Sequence, residues 1–139
     1  MDWEECRFKK IIKEVKPDEN MIKSLKKSSK NKMESESKLE MDDITSISKL
    51  SLTYDSLREL LEALAIKKGF RIYNHECYTA FLKEIIKESE KGSEFDRIRI
   101  IRNAVNYYGK ELTIGEASGI IERIKKLRNF VSNLLEGLE

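Results

Sequence analysis

One proline, one histidine, one tryptophan and two cysteines are all that this sequence of 139 residues contains of those types. Each scarcity excludes something. With so little proline and only six glycines there are too few turns for an all-β fold. Two cysteines, Cys6 and Cys77, make no disulfide framework. Without C-x-x-C spacing or a second histidine they make no structural zinc site either. The glycine patterns of Rossmann and P-loop nucleotide sites are missing, as is any internal repeat. Apolar runs such as Ala63-Leu64-Ala65-Ile66 make one helical turn, against the roughly 20 residues that cross a bilayer. The start, Met1-Asp2-Trp3-Glu4-Glu5, is acidic and lacks the apolar region of a signal peptide. The expectation is a soluble cytoplasmic protein with no membrane contact, no metal and no cofactor.

Charge, by contrast, is abundant and nearly balanced, with 27 Lys and Arg against 25 Asp and Glu, a net charge of +2. That balance excludes a strongly basic nucleic-acid coat and an acidic tail. The charged fraction of 37% exceeds the roughly 25% of an average domain, a surplus that suits a heat-adapted source. The length fits one domain with a core of its own.

Every clear period is helical. Residues 1–16 hold Trp3, Cys6, Phe8, Ile11, Ile12 and Val15, which reads as a short N-terminal helix. Pro17, Asp18 and Glu19 break it and open the next. Residues 18–39 place Met21, Ile22, Leu25, Met33 and Leu39 near helical spacing. Ser28-Ser29-Lys30-Asn31-Lys32 and Glu34-Ser35-Glu36-Ser37 dilute that face. The reading is a long, mostly exposed helix, with a solvated linker as the alternative.

Ile47, Leu50, Tyr54, Leu57, Leu61 and Leu64 then alternate spacings of three and four, a bundle seam that Gly69 closes. Asn74 caps a third helix with Cys77, Tyr78, Phe81, Leu82, Ile85 and Ile86 inward. Gly92-Ser93 ends that helix and starts a fourth, with Ile98, Ile101, Val105 and Tyr108 buried and Gly109 at its end. Thr113-Ile114-Gly115-Glu116 is a capping box for the last helix, which buries Ala117, Ile120, Ile121, Ile124, Leu127, Val131, Leu134 and Leu138. The sum is a single all-α domain over residues 1–139. After the N-terminal helix, residues 17–139 form an antiparallel up-and-down bundle of four to five long helices.

On the fourth helix, Arg99, Arg102, Asn103, Asn106 and Lys110 gather beside the buried stripe. Arginine offers a planar fork to phosphate, and asparagine both donates and accepts. Such a strip suits RNA phosphate or a nucleotide. The plainer alternative is a solvated face, with Arg99 and Arg102 paired to acids of a neighbouring helix. Tyr107 lies nearer this strip than Tyr108 and suits stacking on a base or packing at a dimer seam. His75 reads as a structural histidine at a helix start, with approach to Arg102 across the bundle as the catalytic alternative. Cys77 reads as core, and Cys6 has no visible activator. The run Arg123, Lys125, Lys126 and Arg128 reads as solvated surface, with an electrostatic footprint for RNA as the alternative.

The stretch Gly69-Phe70-x-x-x-Asn74-His75-Glu76-x-x-x-x-Phe81-Leu82, followed by Arg99-x-x-Arg102-Asn103-x-x-x-Tyr107-Tyr108-Gly109, resembles an archaeal HEPN domain. Lys13-x-Val15-Lys16-Pro17-Asp18 resembles the N-terminal part of the same group. The resemblance implies a small helical bundle and a homodimer. It also implies a ribonuclease or a toxin, the latter beside a nucleotidyltransferase in a toxin–antitoxin-type pair. The family signature is an arginine followed, after four to six residues, by a histidine. Arg102 and Asn103 match its first half, but Tyr107 stands where the histidine belongs. Tyrosine ordinarily ionises near about pH 10, so it replaces imidazole poorly at neutral pH. The resemblance therefore implies the fold and the dimer more strongly than the nuclease. Taken with the polar strip, it leads to the expectation of a degenerate module that binds nucleotide or RNA through Arg99, Arg102, Asn103, Asn106 and Lys110. Two alternatives stand beside it: a metal-independent ribonuclease with Arg102 and Tyr107 as catalytic residues, and a non-enzymatic adaptor that recruits another helix.

Overall fold

The computed structural model describes residues 1–138. Its helices are α1 (Trp3–Phe8), α2 (Glu19–Ser37), α3 (Ser46–Lys67), α4 (Glu76–Ala80), α5 (Ser89–Tyr107) and α6 (Ile114–Gly137). A π-helical turn, Phe81–Ile85, continues α4, and two short strands, β1 (Ile12–Glu14) and β2 (Phe70–Ile72), pair antiparallel. The chain is mainly helical, as its periodicity predicts. No helix among the described residues is long and apolar enough to cross a membrane.

The N-terminal segment differs from the expected single helix. Asp2 caps α1, its side chain accepting from the Glu5 amide at 2.8 Å, but the helix stops at Phe8. Lys10 turns the chain with φ at 59°. The β-branched Ile11-Ile12 that follows suits an extended chain better than a helix, and Ile12 pairs with Ile72. The cysteines also differ from expectation: Cys6 and Cys77 are joined in a disulfide across 71 residues. In the chain-entropy account a loop of that size stabilises the fold by about 4 kcal/mol.

The third and fourth helices meet elsewhere than expected. Gly92 lies inside α5 rather than at a helix end. A Cβ at this position would stand 2.5 Å from Lys83 Cγ and 3.0 Å from the Thr79 carbonyl oxygen. The glycine therefore lets α5 press against α4 and the π-helical turn. Gly69 does close α3, with φ at +94°, and the Thr113–Glu116 capping box forms as predicted.

Helix α3 lies at the centre, with 14 buried residues. Antiparallel packing of α2 on α3 follows from three contacts, Glu19 with Lys67, Ser29 with Ser56 and Glu36 with Lys49. Against α6, α2 is again antiparallel, with Lys26 on Glu136 and Glu36 on Lys125. The residues that dilute the apolar face of α2 are what seats it. The Ser29 and Ser56 hydroxyls each donate to the other's carbonyl, at 2.8 and 2.9 Å. Arg128 of α6 donates to both, Nε reaching Ser56 Oγ at 2.6 Å and Nη2 reaching Ser29 Oγ at 3.2 Å. Arg128 is thus part of this seam and not of a solvated run. Glu36 is buried between Lys49 Nζ at 3.1 Å and Lys125 Nζ at 3.2 Å.

Removing one partner of a buried ion pair leaves the other charge uncompensated, at about 3–5 kcal/mol. Exposed pairs contribute below about 1 kcal/mol. Glu36→Ala is therefore expected to lower the unfolding free energy by about 3 kcal/mol, and Glu19→Ala by less than about 1 kcal/mol. Urea unfolding of the two variants side by side checks the order, and equal losses would contradict it.

Candidate functional site

The close approach at Gly92 sets the aromatic floor of the site. Phe95 of α5 stacks on Tyr54 of α3, with centroids 6.2 Å apart, and meets Tyr78 of α4 edge-on at 6.3 Å. One and two turns further along α5 come Arg99 and Arg102 (about 3.6 residues per turn).

Arg99 is committed within its own helix. Its Nε and Nη2 donate to Asp96 Oδ1 at 3.2 and 2.9 Å, and the Thr79 hydroxyl donates to the same oxygen at 3.2 Å. Arg102 turns inward instead. Its guanidinium lies 4.9 Å from the Tyr54 ring centroid and 5.5 Å from that of Tyr107. Nη1 donates to Asn103 Oδ1 and to the Tyr107 hydroxyl, both at 3.3 Å. Nε is buried with no hydrogen-bond acceptor. No carboxylate pairs with Arg102 among the described residues. A guanidinium over two aromatic rings is attracted to them by the ring quadrupoles, and here it has donor capacity left over.

The expected single strip is therefore divided. Arg99, Arg102 and Asn103 are half-buried, whereas Asn106, Tyr107 and Lys110 are exposed at the helix end. The Tyr108 side chain, expected in the buried stripe, is 81% exposed. It is the C-cap of α5, and Gly109 follows with φ at +70°, so the chain leaves the helix before Tyr108 can reach the core. Of the stripe only Ile98 is fully buried; Ile101 and Val105 pack at its edge.

Tyr54 brings in a residue from another element. Its hydroxyl lies 3.1 Å from His75 Nδ1, just ahead of α4. Burial pushes the Tyr54 hydroxyl up to about 12, so it stays protonated, and it is assigned as the donor to Nδ1. Burial, then the charges of Arg58, Arg102 and Arg99, push His75 down to about 4. His75 is thus neutral at pH 7, with Nδ1 accepting from Tyr54 and the proton assigned to Nε2. Arg58 itself is held by Glu62, Nη1 to Oε2 at 3.0 Å.

The centre is rich in donors: the Arg102 guanidinium, the Asn103 amide and, in this tautomer, the Nε2–H of His75. Donors without acceptors suit an anion. No group of three or more metal-ligating side chains occurs among the described residues. Sequence reasoning places Tyr54 only in the core seam. The missed signal is its hydroxyl, because a buried tyrosine needs a partner; the one histidine, and not the expected Asn74, occupies the N-cap position of α4, with Asn74 Oδ1 accepting from the Glu76 amide at 2.9 Å in the turn ahead of it.

Compared with known proteins, the chain matches no family model, no curated protein and no solved structure.

With a single histidine in the chain, its imidazole C2–H NMR resonance needs no assignment. Its midpoint is expected at about 4. The unfolded chain takes up this proton near about pH 6.5, so His75 contributes stability above that pH and loses it as the pH falls through about 4. Tyr54→Phe keeps the ring under Arg102 but removes the donor to Nδ1, so the midpoint should rise. A wild-type midpoint near the ordinary value would mean that His75 is not held on Tyr54.

Proposed function

We propose that the chain is a HEPN-like domain that binds nucleotide or RNA as a homodimer and does not cleave it. The observation that carries this reading is the Arg102 centre, a half-buried cation between Tyr54 and Tyr107 with no acid partner among the described residues. A phosphate would supply the missing acceptor, and exposed Tyr107, Asn106 and Lys110 border it. Ile100, Tyr107 and Tyr108 stand exposed on the outer part of α5, and an apolar surface beside the site supports a second copy there. A nucleotidyltransferase partner, completing a toxin–antitoxin-type pair, belongs to the same reading and would co-elute on co-expression.

The absence of cleavage rests on proton chemistry. RNA cleavage needs a base to take the 2′-hydroxyl proton and an acid for the leaving oxygen. Neutral His75 has its only lone pair occupied by Tyr54, and Tyr107 is engaged by Arg102. The ribonuclease is the second reading. It is favoured by one observation: Arg102, Tyr107 and, through Tyr54, His75 share one centre.

Labelled RNA incubated with wild type and with Arg102→Ala separates the two readings. The expected result is a gel shift without fragments, weakened roughly tenfold or more in the variant, the equivalent of one charged hydrogen bond. Fragments that vanish with Arg102→Ala would replace binding by cleavage. No shift and no fragments would remove nucleic acid and leave a protein-interaction role.

A further inference from the structure

His75 sits in a short segment that the first fifteen residues grip at both ends. On one side β1 pairs with β2, Ile12 with Ile72, Lys13 with Arg71 and Glu14 with Phe70. The Tyr73 amide extends this ladder, donating to the Ile11 carbonyl at 2.9 Å. On the other side the disulfide ties Cys6 of α1 to Cys77 of α4. Only Asn74, His75 and Glu76 lie between the two anchors.

The N-terminal arm is itself fixed on the segment and its surroundings. Trp3 packs edge-on against Phe70 at 5.0 Å and tilted against Phe81 at 6.0 Å. Its amide donates to Glu84 Oε2 at 2.6 Å, and the terminal ammonium lies 3.4 Å from Glu76 Oε1. The seam of α2, α3 and α6 uses none of these contacts: it is held by Ser29, Ser56 and Arg128 and by Glu36, Lys49 and Lys125.

Charged and titratable groups face His75 from every side. Tyr54 and Arg58 come from α3, the latter paired with Glu62. Arg99, paired with Asp96, and Arg102 come from α5. The Tyr78 ring of α4 lies 6.4 Å away. An imidazole that moves out of this cluster loses both its burial and its cationic neighbours.

We propose that Cys6 and Cys77 are positioning residues of the Arg102 centre: their disulfide holds His75 on Tyr54, and reduction releases it while the α2–α3–α6 seam persists. The effect on ligand binding rests on the reading of this centre as a nucleic-acid site; the positioning of His75 does not. With dithiothreitol as reductant, a reagent thiolate attacks one sulfur of the pair and the other leaves as thiolate. The second reagent thiol then closes its own ring and frees the first cysteine. Two electrons pass to the protein pair, two protons complete the thiols, and the reagent ends as a cyclic disulfide. Both sulfurs are buried, so the reagent enters by local opening of the arm.

One tryptophan and one histidine give two reporters free of assignment. Trp3 fluorescence follows the arm, the His75 C2–H resonance follows the site, and far-UV circular dichroism follows the helices. In reduced protein, and in the Cys6→Ser/Cys77→Ser variant, helical signal should remain and Trp3 emission should shift to the red. The His75 midpoint should rise by about one pH unit or more toward the ordinary imidazole value. An unchanged midpoint in still-helical reduced protein overturns the proposal. If reduction removes the helical signal, the comparison is made in concentrated sucrose, which favours the compact state. Failure to recover helix there also overturns it, because the disulfide then holds the whole fold. RNA affinity, measured on the same samples, should fall about tenfold on reduction. If oxidised protein shifts no RNA, the nucleic-acid reading fails and the His75 midpoint still decides the proposal.

Discussion

Helix α3 is enclosed, and that enclosure governs the rest of the structure. Fourteen of its residues are buried, among them Lys49, Thr53, Tyr54, Ser56 and Glu59. A polar group taken from water must find a partner inside the protein or cost several kcal/mol. The neighbours of α3 are arranged to meet that demand. Thr53 bonds back to its own helix, Ser56 meets Ser29 and Arg128, Glu59 meets Lys32, and Lys49 meets Glu36. Helix α2 is therefore attached through polar contacts as much as through Ile22 and its few apolar neighbours. Tyr54, two residues before Ser56 and so on the other side of α3, makes the same demand, and His75 answers it.

The same constraint explains what was legible in the sequence. The seam from Leu50 to Leu64, the α6 stripe as far as Val131, Gly69 and the Thr113 capping box are local patterns, written within one or two turns, and they stand where their periods place them; at the end of α6, Leu135 is buried instead of Leu134, and Leu138 is exposed at the C-cap. The partners of buried polar groups are not local. Ser29 and Glu36 count as dilution of an apolar face when α2 is read alone; they are inward because Ser56, Arg128, Lys49 and Lys125 lie opposite. A disulfide between residues 71 apart leaves no mark at the level of spacing. Neither does a three-residue strand at Ile12, whose pairing partner is Phe70–Ile72.

The candidate site divides in the same way. Arg102, Asn103 and Tyr107 were legible as a group because they are neighbours on one helix, and they do touch. Tyr108 was misplaced because periodicity assumes that the helix continues, whereas the chain turns at Gly109. Tyr54 and His75 were legible only as a seam residue and a helix start, since their contact joins α3 to the segment ahead of α4.

Two arginines without acid partners among the described residues, Arg102 and Arg128, show why one centre suits a ligand and the other suits the fold. Arg128 is also desolvated, and burial lowers its pKa. Its Nε and Nη2, however, meet two serine hydroxyls, each of which has already given its proton to a carbonyl. No buried polar side-chain atom of that triad lacks a partner, and α2, α3 and α6 are joined by it. Arg102 lies over the Tyr54 and Tyr107 rings, which favour the charge, and only its Nη1 has acceptors, Asn103 Oδ1 and the Tyr107 hydroxyl. Its Nε is left without an acceptor, and the neighbouring imidazole offers another donor rather than a lone pair. A buried donor without an acceptor is a cost to the free protein that an incoming anion removes. That imbalance, which the Arg128 triad lacks, is the physical ground for placing function at Arg102.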